Sequence, residues 1–198
     1  AMVMNVINRP SFLSSFIPSS SPNQSPVESI DEKNNISRFR DLINTGKEDE
    51  ALNMLRDESV NIERVLNDKR IHNGRTALHD LCWHGFTDLI KALINKAQEK
   101  GLTIDFDQVD NNGIAPIHLA YIRENLDVIK QLAAAGASID KPSSTGICVI
   151  DNLLRRQEFN LVCDLFEQMP PDKFQNVSER LVKNKKEILQ KIINVSLK

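Results

Sequence analysis

Aromatic residues are scarce in this 198-residue chain: they make up 5% of it, with one Trp and one Tyr. That is low for a β-sandwich or barrel and usual for helical units packed on Leu, Ile and Ala. Glycine is sparse as well, 7 in all and never clustered. A phosphate loop or dinucleotide fingerprint, which needs glycines close together, is therefore excluded. The three cysteines, Cys82, Cys148 and Cys163, are odd in number, lack metal-ligand spacing and sit in apolar runs. They are expected to be buried free thiols of a reducing compartment. No apolar run approaches the ~18 residues of a membrane span. The start, Met2 to Ile17, is broken by Asn5, Asn8, Arg9 and Pro10, which leaves no continuous signal-peptide centre. Neither sign of charge dominates: Lys plus Arg is 25, Asp plus Glu is 27, and the net charge is −2. A nucleic-acid binder held by phosphate neutralisation is not expected. The expected location is cytoplasmic.

What is present changes character along the chain. Residues 1–30 are rich in Ser, Pro and Asn and bury too little to offset their ordering entropy. Two readings are open for this leader: disorder, or docking through Val6, Ile7, Phe12, Leu13, Phe16 and Ile17. From Ile36 the apolar period becomes helical. Residues 37–58 read as two antiparallel helices around Asn44-Thr45-Gly46-Lys47. Further pairs are expected at Ala77–His84 with Thr87–Lys100, Pro116–Arg123 with Leu126–Ala135, and Val149–Arg156 with Phe159–Gln168. Thr76 is placed as an N-cap, and Pro116 at the first helical position, where its missing N–H costs nothing. A last helix is expected over Ser178–Leu197, within a capping segment 171–198.

The unit recurs. Gly74, Gly113 and Gly146 each open a copy, 39 and then 33 residues apart (113 − 74 and 146 − 113). Thr76-Ala77-Leu78-His79 and Ala115-Pro116-Ile117-His118-Leu119-Ala120 resemble the Thr-Pro-Leu-His signature of ankyrin repeats. Ala135-Gly136-Ala137-Ser138-Ile139-Asp140 is similar to that family's closing Gly-Ala-Asp-Val-Asn. The likeness covers roughly residues 37–170, with decayed outer copies as terminal repeats show. It implies an all-α solenoid of about four helix pairs with β-turn fingers and a C-terminal capping helix, the repeats occupying 31–170.

The resemblance also implies a non-enzymatic scaffold that binds another protein through finger tips and the concave face of the first helices. Carried over by position, the tips are His72, Asn73 and Arg75, then Asn111, Asn112 and Ile114, then Ser144, Thr145 and Ile147. The concave positions are Trp83 with His84, Ile122 with Arg123, and Arg155 with Arg156. Trp and Arg are the types enriched in interface hot spots. Trp83 has a second reading as cover for its own domain, and the arginines as a solvated face. The stretch Arg64 to Asn73 makes an unusually long first finger, either binding or merely decorated.

His79, Cys82 and His84 invite a metal or nucleophile reading. However, His84 is turned away from the shared face of the other two, and no further ligands lie near. In the family, the histidines at positions 79 and 118 hydrogen-bond backbone between repeats. No cofactor, metal or catalytic residue is expected. The arginine-rich face favours an acidic protein partner. An Asn-, Lys- and Ile-rich composition is similar to proteins of AT-rich genomes, which associates the chain with effectors that intracellular bacteria deliver into host cytosol. Two other classes compete. One is an oligomeric or autoregulated module whose leader docks in a groove. The other is a membrane-surface adaptor using Arg180, Lys183, Lys185, Lys186 and Lys191 of the last helix.

Overall fold

The computed structural model describes residues 30–196, with side chains to Lys183. Ten helices and no strand occur among these residues: α1 (Ile30–Asn44), α2 (Glu48–Arg56), α3 (Ile62–Asn67), α4 (Ala77–His84), α5 (Thr87–Glu99), α6 (Pro116–Ile122), α7 (Leu126–Ala135), α8 (Val149–Arg155), α9 (Phe159–Gln168) and α10 (Pro171–Ser196). The leader and its apolar residues lie outside the described region.

Two layers form because the two helices of each pair carry different apolar patterns. The second helices bury one stripe each: Leu89, Ile90, Leu93 and Ala97 on α5, then Val128, Ile129, Leu132 and Ala133 on α7. Each such Leu or Ile stabilises the fold by about 1.5–3 kcal/mol. The first helices are buried on nearly every side; Ala77 through Cys82 of α4 are all buried. Accordingly α1, α4, α6 and α8 pack in series as one layer, with α2, α5, α7 and α9 as the other. The thin first helices need small residues, which explains Ala77, Cys82 and Ala120 in their interior.

Inter-helix turns set the register. Gly46, Gly85, Glu124 and Gln157 all have positive φ at equivalent places, 78°, 78°, 56° and 62°. At Gly85 the requirement is double, since Asn125 Oδ1 would stand 2.9 Å from an added Cβ. Asn125 donates to the carbonyl of Cys82 at 2.9 Å and so closes α4 from the next repeat.

Three departures from expectation have local causes. The long first finger is partly helical: Asn61 accepts from the Arg64 amide as an N-cap, and Ile62 and Val65 are buried, so α3 belongs to the core. Helix α1 begins at Ile30 rather than near 37, extended by Asp31 and Glu32 in its first turn. Helix α10 starts at Pro171, not Ser178, because proline is well suited to a first turn and Val177 is buried there.

Candidate functional site

Three fingers project ahead of α4, α6 and α8, each closed at its base by a backbone bond, Arg70 N–H to Arg75 O, Asp110 N–H to Ile114 O and Ser143 N–H to Ile147 O, with the glycine amide returning to the first residue's carbonyl inside it. They are laid side by side, Asn111 N–H donating to Asn73 O at 2.8 Å and Ser144 N–H to Gly113 O at 3.2 Å. Contact is close enough that glycine is required; a Cβ on Gly74 would meet Asn111, and one on Gly113 would meet Ser144.

Beside these fingers lies a cluster drawn from three places in the sequence. Trp83, in the last turn of α4, is half-buried. The Arg123 guanidinium lies 4.8 Å from its ring centroid and that of Arg75 lies 5.6 Å away. Such stacking holds an arginine flat on an aromatic face for about 0.5–1 kcal/mol at exposed sites. The two arginines differ in charge balance. Arg75 Nε is 3.3 Å from Asp110, whose carboxylate is fully buried and also accepts from the amides of Asn112 and Ile114. Arg123 is exposed and has no carboxylate partner among the described residues. Further along the face Ile122 is 45% exposed, Arg155 is exposed, and Arg156 pairs with Glu124 at 3.2 Å.

The remaining expected site residues fall into two groups. His72, Asn111, Asn112, Ser144 and Thr145 are exposed tips, with Asn73 and Ile147 partly covered. Asn73 and Asn111 also serve the finger row itself. Ile114 is a correction: it is 7% exposed, its amide bonded to Asp110 and its carbonyl to His79. Its branched apolar side chain is turned inward by that clamp. His84 is exposed but stacks on Phe86 at 5.3 Å, away from the Trp83 cluster. Cys163 also departs from expectation: it is exposed on α9, whereas Cys82 and Cys148 are buried. Arg180, expected outward on the last helix, is turned inward and donates to Asp140 O and Asp151. The side chains of Lys185, Lys186 and Lys191 lie outside the described region.

Histidine chemistry is committed to scaffold. In His79, Nδ1 accepts from the Thr76 amide at 3.2 Å and lies 2.8 Å from its hydroxyl, so Nε2 carries the proton toward Ile114 O at 3.0 Å. His118 repeats this with the Ala115 amide and Lys141 O, both at 3.0 Å. Burial holds both imidazoles below their ordinary pKa despite those bonds, so they stay neutral. Cys82 is wholly inaccessible and its thiol is pushed far up by burial, which makes it a poor nucleophile.

One residue escaped the sequence reading. Arg40, 3% exposed, donates to Arg75 O at 2.8 Å, Asp80 at 2.8 Å and Asp68 at 3.0 Å. Arg70 Nε approaches the same Asp80 at 3.3 Å. Arg40 precedes His79 by 39 residues, as His79 precedes His118, and it bonds the carbonyl 35 residues ahead as His79 does. It is the signature histidine's substitute in the first repeat. Continuing the 39-residue spacing backward would have located it.

Comparison with known proteins agrees with this geometry. Residues 42–143 match a family model described as ankyrin repeats in 3 copies. A tyrosine-protein kinase, HTK16, of Hydra vulgaris is 30% identical over 98 residues, covering 50% of this chain and 12% of that protein. Ankyrin repeat domain-containing protein 13B of Mus musculus and of Homo sapiens is 27% identical over 89 residues, covering 45% of this chain and 13% of each. The matched segment thus spans about an eighth of these relatives' length. With the finger row, the paired helices and the inter-repeat histidines all in register, the chain belongs to the ankyrin-repeat family.

Proposed function

We propose that this chain binds a protein partner through its concave face, with Trp83 and Arg123 as the energetic centre and an acidic segment as the complement. Ankyrin repeats generally serve as protein-interaction modules. The observation that carries the finer reading is the stack itself: Arg123 lies 4.8 Å over Trp83 with no carboxylate of its own among the described residues. Its planar donors are pre-oriented for a bidentate carboxylate. Arg75 is already satisfied by Asp110 and serves as the other support of the indole. Ile122, Arg155 and the tips at Asn111, Asn112, Ser144 and Thr145 form the surrounding rim.

A pull-down of candidate partners with wild-type protein and with Trp83→Ala and Arg123→Ala tests this. Each substitution is expected to lower affinity by at least ~30-fold, the effect of a hot spot of about 2 kcal/mol. Arg123 is exposed and Trp83 half-buried, so Arg123→Ala should leave the melting curve unchanged and Trp83→Ala should lower it only slightly. Equal recovery with an intact melt overturns the assignment. Delivery into a host cell as a bacterial effector rests on composition alone, and the relatives found are animal proteins. A translocation assay with a reporter fusion decides that question.

A further inference from the structure

The finger row has a direction, and among the described residues no backbone group pairs with its leading end. At each junction the later finger donates an amide and the earlier one supplies the carbonyl, as in Asn111 to Asn73 and Ser144 to Gly113. The equivalent donor on the first finger is Ile71 or His72, depending on whether the count runs from Arg70 or Gly74, because this finger is one residue longer. Neither amide has a partner among the described residues. Among the described residues no finger precedes them. Helix α1 already runs ten residues before Arg40, whereas α4 starts two before His79, so helix occupies the sequence positions at which a finger would stand.

Between α1 and this finger runs a cleft of about 380 Å³, with Lys33, Ile36, Ser37 and Asp41 on one wall and Lys69 and His72 on the other. Ile71 beside it is 100% exposed, unlike Ile114 in the next finger at 7%. Lys33 and Lys69 have no carboxylate partner among the described residues, and Asp41 is the one unpaired acid facing them. Arg40, Arg70 and Asp68 are tied together around Asp80. An open backbone edge, an uncovered isoleucine and a lysine on each wall match the needs of an extended chain laid along the cleft.

We propose that this leading edge is a second docking site, separate from the concave face, for an extended acidic peptide of a partner protein. Its backbone carbonyl accepts from Ile71 or His72. Carboxylates on either side of an apolar residue meet Lys33 and Lys69, and the apolar residue covers Ile71. Residues 1–29 hold a single acid, Glu28, and so do not supply a carboxylate for each wall, whereas a partner's acidic segment does.

The test uses the full chain, ¹⁵N-labelled, titrated with acetyl-Glu-Val-Glu-Val-Glu-amide. Saturable amide shifts should concentrate at residues 69–73 and around Lys33, and hydrogen exchange at Ile71 or His72 should slow about tenfold. Ile71→Asp and the pair Lys33→Glu with Lys69→Glu, all at exposed positions, should abolish the shifts, while Trp83→Ala leaves them intact. Retention in Trp83→Ala separates this site from the concave one. The proposal is overturned by any of four results. The first is no shifts at millimolar peptide, and the second is shifts centred on Trp83 and Arg123. The third is slow exchange in the peptide-free chain that becomes fast when residues 1–29 are deleted. The fourth is a concentration-dependent rise in mass that Ile71→Asp removes.

Discussion

A guanidinium as enclosed as that of Arg40 is tolerated only while its acceptors surround it. Four acceptors on Asp68, Arg75 and Asp80 do, and Asp80 is itself 5% exposed. Removing the cation leaves that carboxylate with only the more distant Arg70. Arg40→Ala is therefore expected to destabilise the protein by about 3 kcal/mol, read as a lower urea midpoint. Arg40→Lys should recover little, since one ammonium cannot span acceptors on both the finger and α4. A loss under about 1 kcal/mol would contradict the assigned role. The residue was legible only through spacing. Arginine is ordinarily solvated, so its chemistry alone gives no hint that position 40 is a core site.

At the scale of elements, the inter-repeat histidines couple each finger to the preceding helix, and that coupling responds to pH. Both His79 and His118 have folded pKa values below the ordinary 6.5 because burial penalises the cation. The unfolded chain then binds more protons, so stability is full above about 6.5 and declines as pH falls from there toward the folded values. Urea titrations at pH 7.5 and 5.5 should show a lower midpoint at the acid value, and His118→Asn should flatten the difference. An unchanged midpoint in the wild type would refute it. Asp107 acts in a lower window. Burial raises its pKa, but the Ser138 hydroxyl and amide and Lys141 more than offset this and hold it below its usual value. Its contribution is present above about 3.9 and is lost as pH falls further. The helices were legible because their apolar spacing is set by local geometry. The exception, α3, is one and a half turns long, too short for a periodic signal.

The whole molecule is a row of units in which each touches its neighbours, so stability is spread as a sum of unit and junction terms. At the far end, α10 is pinned by Arg180, which bridges Asp140 O and Asp151. Lys173 adds a bond to Ser138 at 3.1 Å. Arg180→Ala should speed hydrogen exchange in α10 and residues 139–155 while leaving α4 and α5 near their wild-type rates. Uniform acceleration along the chain would show a single cooperative unit instead. The leading edge of the finger row, unpaired among the described residues, is a property at this scale too, visible only once every finger is placed against its neighbour.

The sequence by itself determined the family, the helix pairs, their turns and the scaffold role of His79 and His118. Those depend on spacing within some forty residues and on which groups can be buried. Only the tertiary structure decided that Arg123 closes on Trp83, that Ile114 faces inward against His79 and that Arg180 is a staple. Each of these depends on a partner contributed by another repeat, tens of residues away. Period and propensity describe one element at a time, and the meeting of two elements is a matter of packing.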